Sequence, residues 1–370
     1  MANLHRSSRI SSAHLSLHHA LLISFSILIH SLCAAQDIEI ADSLRNQAQD
    51  STPISAPTSD PASWKIHRSF IFDSLGQPVD VFIADLLAHL QDTTGVGLPV
   101  SKQEFCEILD RDAAEIVYSR QLIKYATPKS IEIQKNDHLN LTKIRLKKKY
   151  IEAGIEFHQI HDSLLNAADN MYGVHRKDIV AILMWESNLG KNYGQYQIFN
   201  IFLGQILFLD LAYDHSIEVL SSKGDTTLFD EIDEVRRQKR RIKNIRERAI
   251  KNLAYLLRSA KASQTDPLLF QGSWGGAIGY TQFMPFRLNL AVDGDNNGEI
   301  DLCTWSDAIH SVANYLKYFG YRNSLAKRRR AIYKYNPMKS YVDGVITYAD
   351  RVWEEYQTKK LKLQKTSSLK

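Results

Sequence analysis

The stretch KDIVAILMWESNLG, Lys177 to Gly190, decides the fold. Asp178 stands where a helix start welcomes an acid, and Gly190 stands where a helix stops. Between them Ile179, Ile182 and Leu183 recur at helical spacing and make one apolar face. Glu186 lies seven, four and three residues beyond them, so it falls on the same stripe. Burial there disfavours the charged carboxylate and raises its pKa, the property a general acid needs near neutral pH. A glutamate bonded to an internal structural partner leaves the same periodic signature, and periodicity alone does not choose between the two.

Outward from this helix the spacing stays helical. Phe82, Leu86, Leu87 and Leu90, then Phe105, Ile108 and Leu109, recur three and four apart. A long charged helix is expected over 231–262, where Ile242, Ile245, Ala249, Leu253, Leu256 and Ala260 form one stripe. There is little period-2 alternation, so the fold class is mainly α. The chain has 370 residues, 44% of them hydrophobic, enough for at least one substantial core. A formal charge of +5 is mild for that length and lacks the dense basic stripe of a dedicated nucleic-acid binder. The run RRQKRR at 236–241, KRRR at 327–330 and the basic tail over 357–370 read as solvated helix faces in preference to polyanion sites.

The N-terminus reads as an export signal. Arg6 and Arg9 precede LLISFSILIHSL (Leu21 to Leu32), with the small residues Ala34 and Ala35 at the cut. That run is about a dozen residues, short of the ~20 a membrane-spanning helix needs. Cleavage ends the signal at residue 35; an uncleaved anchor and a lipid on Cys33 are the alternatives, although Leu32 is bulky for the latter. Residues 36–62 are rich in Ser, Pro and Ala and read as a flexible linker. Cleavage leaves Cys106 and Cys303, which either pair or stay as thiols.

Three further segments carry chemistry. GSWGGAIGYTQFMP, Gly272 to Pro285, packs four glycines into eight residues, so backbone lies tight against something. It matches neither nucleotide fingerprint, since no Gly-Lys-Ser/Thr follows. AVDGDNNGEIDLCTWSD, Ala291 to Asp307, sets oxygen ligands at Asp293, Asp295, Asn297 and Glu299 with a turn glycine at Gly298, the first half of a calcium loop. Thr304 stands at the twelfth position, where glutamate closes such loops, so Asp307 is the candidate closing acid; an acidic turn without metal is the alternative. KYNPMKSYVDGVITYA, Lys334 to Ala349, places Tyr335 and Asn336 before a helix that carries Tyr341. Aromatics beside polar groups suit a carbohydrate groove and an ordinary core alike. His158, His161 and Asp162 imitate a metal triad but lack a further ligand, and read as surface groups.

In their order and spacing these segments resemble the membrane-bound lytic murein transglycosylase B family of the lysozyme-like group. The family's V-E-[ST]-x-x-G is matched by Trp185 to Gly190, its G-K-x-x-[IV] by Gly194 to Ile198, and its G-S-[FYW]-A-G-A-M-G-Y-x-Q-F-M-P by Gly272 to Pro285. The calcium-type loop, the D-A-I-x-S-V-A-N-Y helix (Asp307 to Tyr315) and the Y-N pair (Tyr335 and Asn336) follow in order. The resemblance covers 135–355 strongly and 64–134 weakly. It implies a lysozyme-like α domain over 135–356, an N-terminal helical region over 63–134, and a periplasmic enzyme that is free or membrane-associated.

The reaction implied is cleavage of the β-1,4 bond between N-acetylmuramic acid and N-acetylglucosamine, with Glu186 as acid and then base and a 1,6-anhydro product. By the same resemblance Ser273, Tyr280, Gln282, Tyr315, Tyr335, Asn336 and Tyr341 line the sugar groove. Calcium is a structural ion on Asp293, Asp295, Asn297, Glu299 and Asp307, and no organic cofactor is involved. The partners implied are peptidoglycan glycan strands, with cell-wall synthesis or division proteins as further candidates and no nucleic acid.

Two departures qualify the match. Phe286 and Arg287 replace two serines usual after the F-M-P, and only Gly320 to Tyr333 separates the N-Y helix from the Y-N pair. The family's small β-subdomain is therefore reduced or absent. A muramidase using Glu186 with water, a non-catalytic wall-binding scaffold and a calcium-dependent adhesion protein are the competing readings.

Overall fold

Helices dominate because apolar residues recur at 3.6-residue spacing through most of the chain. The computed structural model describes residues 100–367, apart from 115, 119, 129–130, 223 and 225–231, together with 64–66 and 87–88. The expected signal and linker lie outside the described residues. Among those described there are eleven α-helices: α1 (Lys102–Leu109), α2 (Arg120–Ala126), α3 (Ile131–Arg145), α4 (Lys148–Ile160), α5 (Asp162–Tyr172), α6 (Arg176–Ser187), α7 (Ile198–Ser222), α8 (Ile232–Ala262), α9 (Trp305–Tyr318), α10 (Leu325–Tyr335) and α11 (Lys339–Ser367). The expected boundary at 134/135 falls inside α3, and α11 carries the basic tail on as helix.

The helix starts follow local rules. Ser101 and Glu104 form a reciprocal capping box at α1, Oγ accepting from the Glu104 amide at 3.1 Å. Thr304 Oγ1 caps α9 by accepting from the Asp307 amide. Two small antiparallel ladders interrupt the helical pattern. β1 (Trp64–Ile66) pairs with β2 (Ile116–Tyr118), and β3 (Tyr196–Gln197) pairs with β4 (Gln271–Gly272). Strands of two or three residues are too short for alternation to show in the sequence. Between α9 and α10 the chain makes only a short turn, and no strand occurs there among the described residues.

The core is built around α6. Ile179 through Met184 are all fully buried, so this helix is apolar on every side and not on one stripe alone. It is enclosed by α4, α5, α9 and α11. The long α8 lies against α7 and buries the whole expected stripe, Ile242, Ile245, Ala249, Leu253, Leu256 and Ala260.

The N-terminal end of α6 is pinned by charge. Asp178 is buried and accepts from Arg328 Nε at 2.8 Å, from Arg328 Nη2 at 2.7 Å and from the Tyr321 hydroxyl at 2.5 Å. Arg328 also reaches Asp350 at 2.9 Å. KRRR at 327–330 is therefore not a plain solvated face, because Arg328 points into the core while Arg329 pairs with Asp343. The 236–241 run is likewise mixed: Arg237 pairs with Glu234, and Arg241 donates to the Tyr125 and Ala126 carbonyls that end α2.

His158 departs from its surface reading. It is fully buried, its Nδ1 accepts from Arg176 Nε at 3.3 Å, and burial beside that guanidinium pushes its pKa down to about 3. Cys106 and Cys303 are separate, half-buried thiols, and burial next to Asp301 raises Cys303 to about 11.

Candidate active site

Glu186 sits in the last turn of α6, flanked by buried Trp185 and Ser187. The helix stops because Asn188, Leu189 and Gly190 all adopt positive φ, at 54°, 52° and 77°. The Leu189 amide turns back to the Leu183 carbonyl at 3.1 Å, and Arg145 Nη1 holds Asn188 Oδ1 at 2.6 Å. Glu186 is half-buried as a residue, but its carboxyl lies among apolar and aromatic groups. Desolvation pushes its pKa up to about 7, opposed only by a hydrogen bond from the Tyr341 hydroxyl to Oε1 at 2.5 Å. No neighbouring carboxylate contributes to that shift.

A tyrosine cluster surrounds the acid. Tyr341 comes from the first turn of α11, Tyr335 from the end of α10 and Tyr315 from α9. The Tyr315 and Tyr335 rings lie 4.6 Å apart, with Phe283 against both. Burial and the nearby Glu186 raise all three phenols, Tyr315 to about 12, so each is a neutral donor. Tyr315 and Tyr341 are only 3% and 2% exposed, which makes them the setting of the acid more than an open wall. Their hydroxyls are committed, Tyr315 to the Lys334 carbonyl at 2.5 Å and Tyr341 to Glu186.

The glycine-rich segment is joined to this cluster by the Tyr335 hydroxyl, which donates to the Thr281 carbonyl at 2.6 Å. Its tightness is real. A Cβ on Gly272 would meet the Ala277 carbonyl oxygen at 2.0 Å, and one on Gly276, at φ 84°, would meet Phe202 at 2.3 Å. Ser273 Oγ accepts from the Ala277 amide at 3.2 Å, and Gln282 Nε2 donates to the Tyr193 and Gly279 carbonyls. Tyr280 stacks on Trp305 with centroids 4.2 Å apart. Asn336 ends α10 half-buried, and its carboxamide makes no hydrogen bond among the described residues.

Three residues near these groups, His138, Tyr193 and Arg145, are not singled out in the sequence, and Arg287 stands out only as a departure from the family pattern. His138 meets Tyr341 edge-on at 6.0 Å, Tyr193 meets Tyr280 at 5.2 Å, and Arg145 holds the end of α6. Arg287 lies 4.7 Å from the Phe286 ring, 5.0 Å from Phe319 and 5.9 Å from Tyr315. It makes no ion pair among the described residues. Its place directly after F-M-P is a signal; nothing in the sequence marks the others.

In the acidic loop the carboxylates of Asp293, Asp295 and Asp307 converge within 4.8 Å of one another. Asp307 is buried and accepts from the Gly294 amide at 2.8 Å and the Asp301 amide at 2.7 Å. Asp293 accepts from the Asn297 and Gly298 amides, and Asn297 Oδ1 from the Glu299 amide. The Glu299 carboxylate stands outside the convergent group, consistent with a seventh position that offers a backbone carbonyl. An all-oxygen set of three acids without a cationic side chain fits a hard divalent ion such as Ca²⁺.

Known proteins share this chain's sequence and fold. The family described as Transglycosylase SLT domain matches residues 106–331. The chain is 32% identical over 184 residues to membrane-bound lytic murein transglycosylase B of Escherichia coli (strain K12), covering 48% of this chain and 42% of that protein. It thus spans less than half the length of that relative. The lytic transglycosylase SLT35 of E. coli in complex with calcium superposes with a TM-score of 0.52 at 19% identity, over 74% of this chain and 93% of that one. Soluble lytic transglycosylase SltB1 from Pseudomonas aeruginosa gives 0.54 at 19%, over 74% and 99%. SltB3 from P. aeruginosa in complex with NAG-anhNAM-pentapeptide gives 0.50 at 19%, over 73% and 79%. These likenesses identify the fold as the helical, lysozyme-like one. The match over 106–331 takes in Glu186, the glycine-rich segment and the acidic loop, and the chain belongs to the transglycosylase SLT domain family.

Proposed function

We propose that the chain is a lytic transglycosylase that cuts the β-1,4 bond between N-acetylmuramic acid and N-acetylglucosamine in peptidoglycan. The observation that carries this reading is Glu186: one buried carboxyl, held by one phenol, with a pKa raised to about 7 and no second acid coupled to it. An acid half-protonated near neutral pH can both give and take a proton. A retaining or inverting hydrolase of the usual kind needs a pair of carboxylates; a single one suits assistance by the substrate.

Protonated Glu186 gives its proton to the glycosidic oxygen as the C1–O bond breaks. The muramoyl N-acetyl oxygen bonds to C1 and holds the positive charge. The Glu186 carboxylate then takes the proton of the 6-hydroxyl, whose oxygen attacks C1 and displaces the acetyl oxygen. The anhydro ring closes and the glutamic acid is regenerated. Tyr341 steadies the carboxylate between the two steps. Ser273, Tyr280, Gln282, Tyr315, Tyr335, Asn336 and Tyr341 line or support the groove, with the unspent Asn336 carboxamide a ligand contact. Asp293, Asp295 and Asp307 hold a structural Ca²⁺ with help from Asn297 and the Glu299 carbonyl, and no organic cofactor takes part. Export by residues 1–35 delivers the chain to the wall.

Digestion of peptidoglycan sacculi with the full chain tests the reading. Soluble muropeptides lighter by one water than lysozyme products support it. Products with full-mass reducing ends make the chain a muramidase, and no release by folded protein supplied with calcium leaves a wall-binding module.

A further inference from the structure

Arg145, at the end of α3, is 8% exposed, yet no carboxylate pairs with it among the described residues. Its guanidinium carbon lies 4.8 Å from the Tyr150 ring centre, Nη1 donates to Asn188, and its buried Nε has no hydrogen-bond partner. A desolvated cation without a counter-charge is costly, and its field reaches whatever lies beside it. Lys149 Nζ lies 4.9 Å from the same ring centre.

A cavity of about 250 Å³ opens beside these groups, lined by Lys149, Tyr150, Ala153, Asn188, Leu189 and Lys191. No acid lines it. Lys149 and Lys191 are exposed, and neither has an ion-pair partner among the described residues. Two of the lining residues, Tyr150 and Asn188, contact Arg145 directly. Asn188 and Leu189 follow Glu186 by two and three residues, so the cavity opens at the foot of the helix that carries the acid.

We propose that this cavity is an anion subsite that takes a carboxylate of the peptide stem borne by the muramoyl residue, an inference that rests on the glycan-cleaving reading above. A neutral sugar ring has no use for three unmatched cations. A peptide stem leaves the muramoyl ring close to the scissile bond and ends in carboxylates, which two ammonium groups recruit and the buried guanidinium field holds. Cations near the C-terminus of α6 also offset the helix dipole, but that role gives no discrimination between ligands.

Three soluble probes decide the matter by calorimetric titration of the full chain. They are the N-acetylglucosaminyl-N-acetylmuramic acid disaccharide with a free-carboxyl stem, the same with every stem carboxyl amidated, and the disaccharide with only its lactyl carboxylate. The wild type is expected to bind the free-carboxyl stem about fivefold more tightly than the amidated one. The Lys149→Ala/Lys191→Ala variant loses that preference while its affinity for the amidated probe is unchanged, and Lys149→Arg/Lys191→Arg keeps the preference. Equal binding of the two stems, a preference that survives the double alanine change, or full preference for the lactyl probe overturns the subsite. Both lysines are exposed, so the variants fold. Cleavage of sacculi by the wild type, measured alongside, separates failure of the subsite from failure of the glycan-cleaving reading.

Discussion

The Tyr341 hydroxyl donates to Glu186 Oε1 at 2.5 Å, joining α11 to the last turn of α6 across 155 residues of chain. This bond works against the larger effect at the site. Desolvation raises the Glu186 pKa, and the phenol, by stabilising the carboxylate, lowers it part of the way back to about 7. The two opposing effects leave an acid that is divided between its forms where it is needed.

The pH profile follows from that balance. The protonated form starts the reaction, so the rate falls as pH rises through about 7. Tyr341→Phe removes the bond that favours the charged form, and the midpoint moves upward by roughly one to two units, since a hydrogen bond to a charged group contributes about 1.5–3 kcal/mol. Rates of wild type and variant from pH 5 to 9 check this; a midpoint that stays or falls contradicts the role given to Tyr341.

Glu186 also costs stability at alkaline pH. Its folded pKa lies above the ordinary 4.5, so the folded state binds the proton more tightly between 4.5 and about 7. Relative stability is full below 4.5 and is lost as pH rises through about 7. Glu186→Gln carries no such loss and is expected to be more stable than wild type at pH 8, by on the order of 3 kcal/mol, with a smaller difference at pH 4. Urea unfolding at both pH values measures it; a variant less stable at pH 8 contradicts the raised pKa.

Arg328→Met leaves buried Asp178 without its bidentate partner, and the expected cost is about 3–5 kcal/mol. Adding Asp178→Leu removes the stranded charge and recovers much of that loss. A single variant within about 1 kcal/mol of wild type in urea would show that the pair does not clamp α6 to α10.

Calcium at the acidic loop acts on stability by mass action. At a hundred times its dissociation constant it adds about 2.7 kcal/mol, a shift of several degrees in Tm. Asp295→Ala removes an exposed carboxylate whose recorded bonds, one from the Asn297 amide at 3.3 Å and one with the Asp293 side chain, stay within the loop, so the apo protein is little changed while the calcium shift is lost. No shift in wild type, or an equal shift in the variant, leaves the loop as a turn without metal.

How much of this was legible in the sequence depends on range. Glu186 could be placed on a buried helix because Ile179, Ile182 and Leu183 lie within two turns of it, and the α8 stripe was complete for the same reason. The glycines at 272, 276 and 279 announced close approach, although not that Phe202 and Leu302 were what they approach. The Asp178–Arg328 pair spans 150 residues, and no periodicity joins its ends. Arg328 reads as one of a charged run until a buried acid is found opposite it. His158 reads as a surface group for the same reason, being a polar residue whose burial is set by neighbours far along the chain, and nothing in the sequence marks Arg145 as buried. Glu299 stands at a ligand position of the loop, yet its carboxylate is not among the three that converge, and spacing alone does not tell a side-chain oxygen from a backbone one.

The rate of glycan cleavage by Glu186→Gln, measured on protein whose circular dichroism and urea midpoint show it folded, tests the central claim most directly. Glutamine keeps the shape and the bond to Tyr341 but has no proton to give or take. The account predicts a fall of about a hundredfold to ten-thousandfold. A folded variant that cleaves within a few-fold of wild type contradicts it, and the acid must then be sought elsewhere.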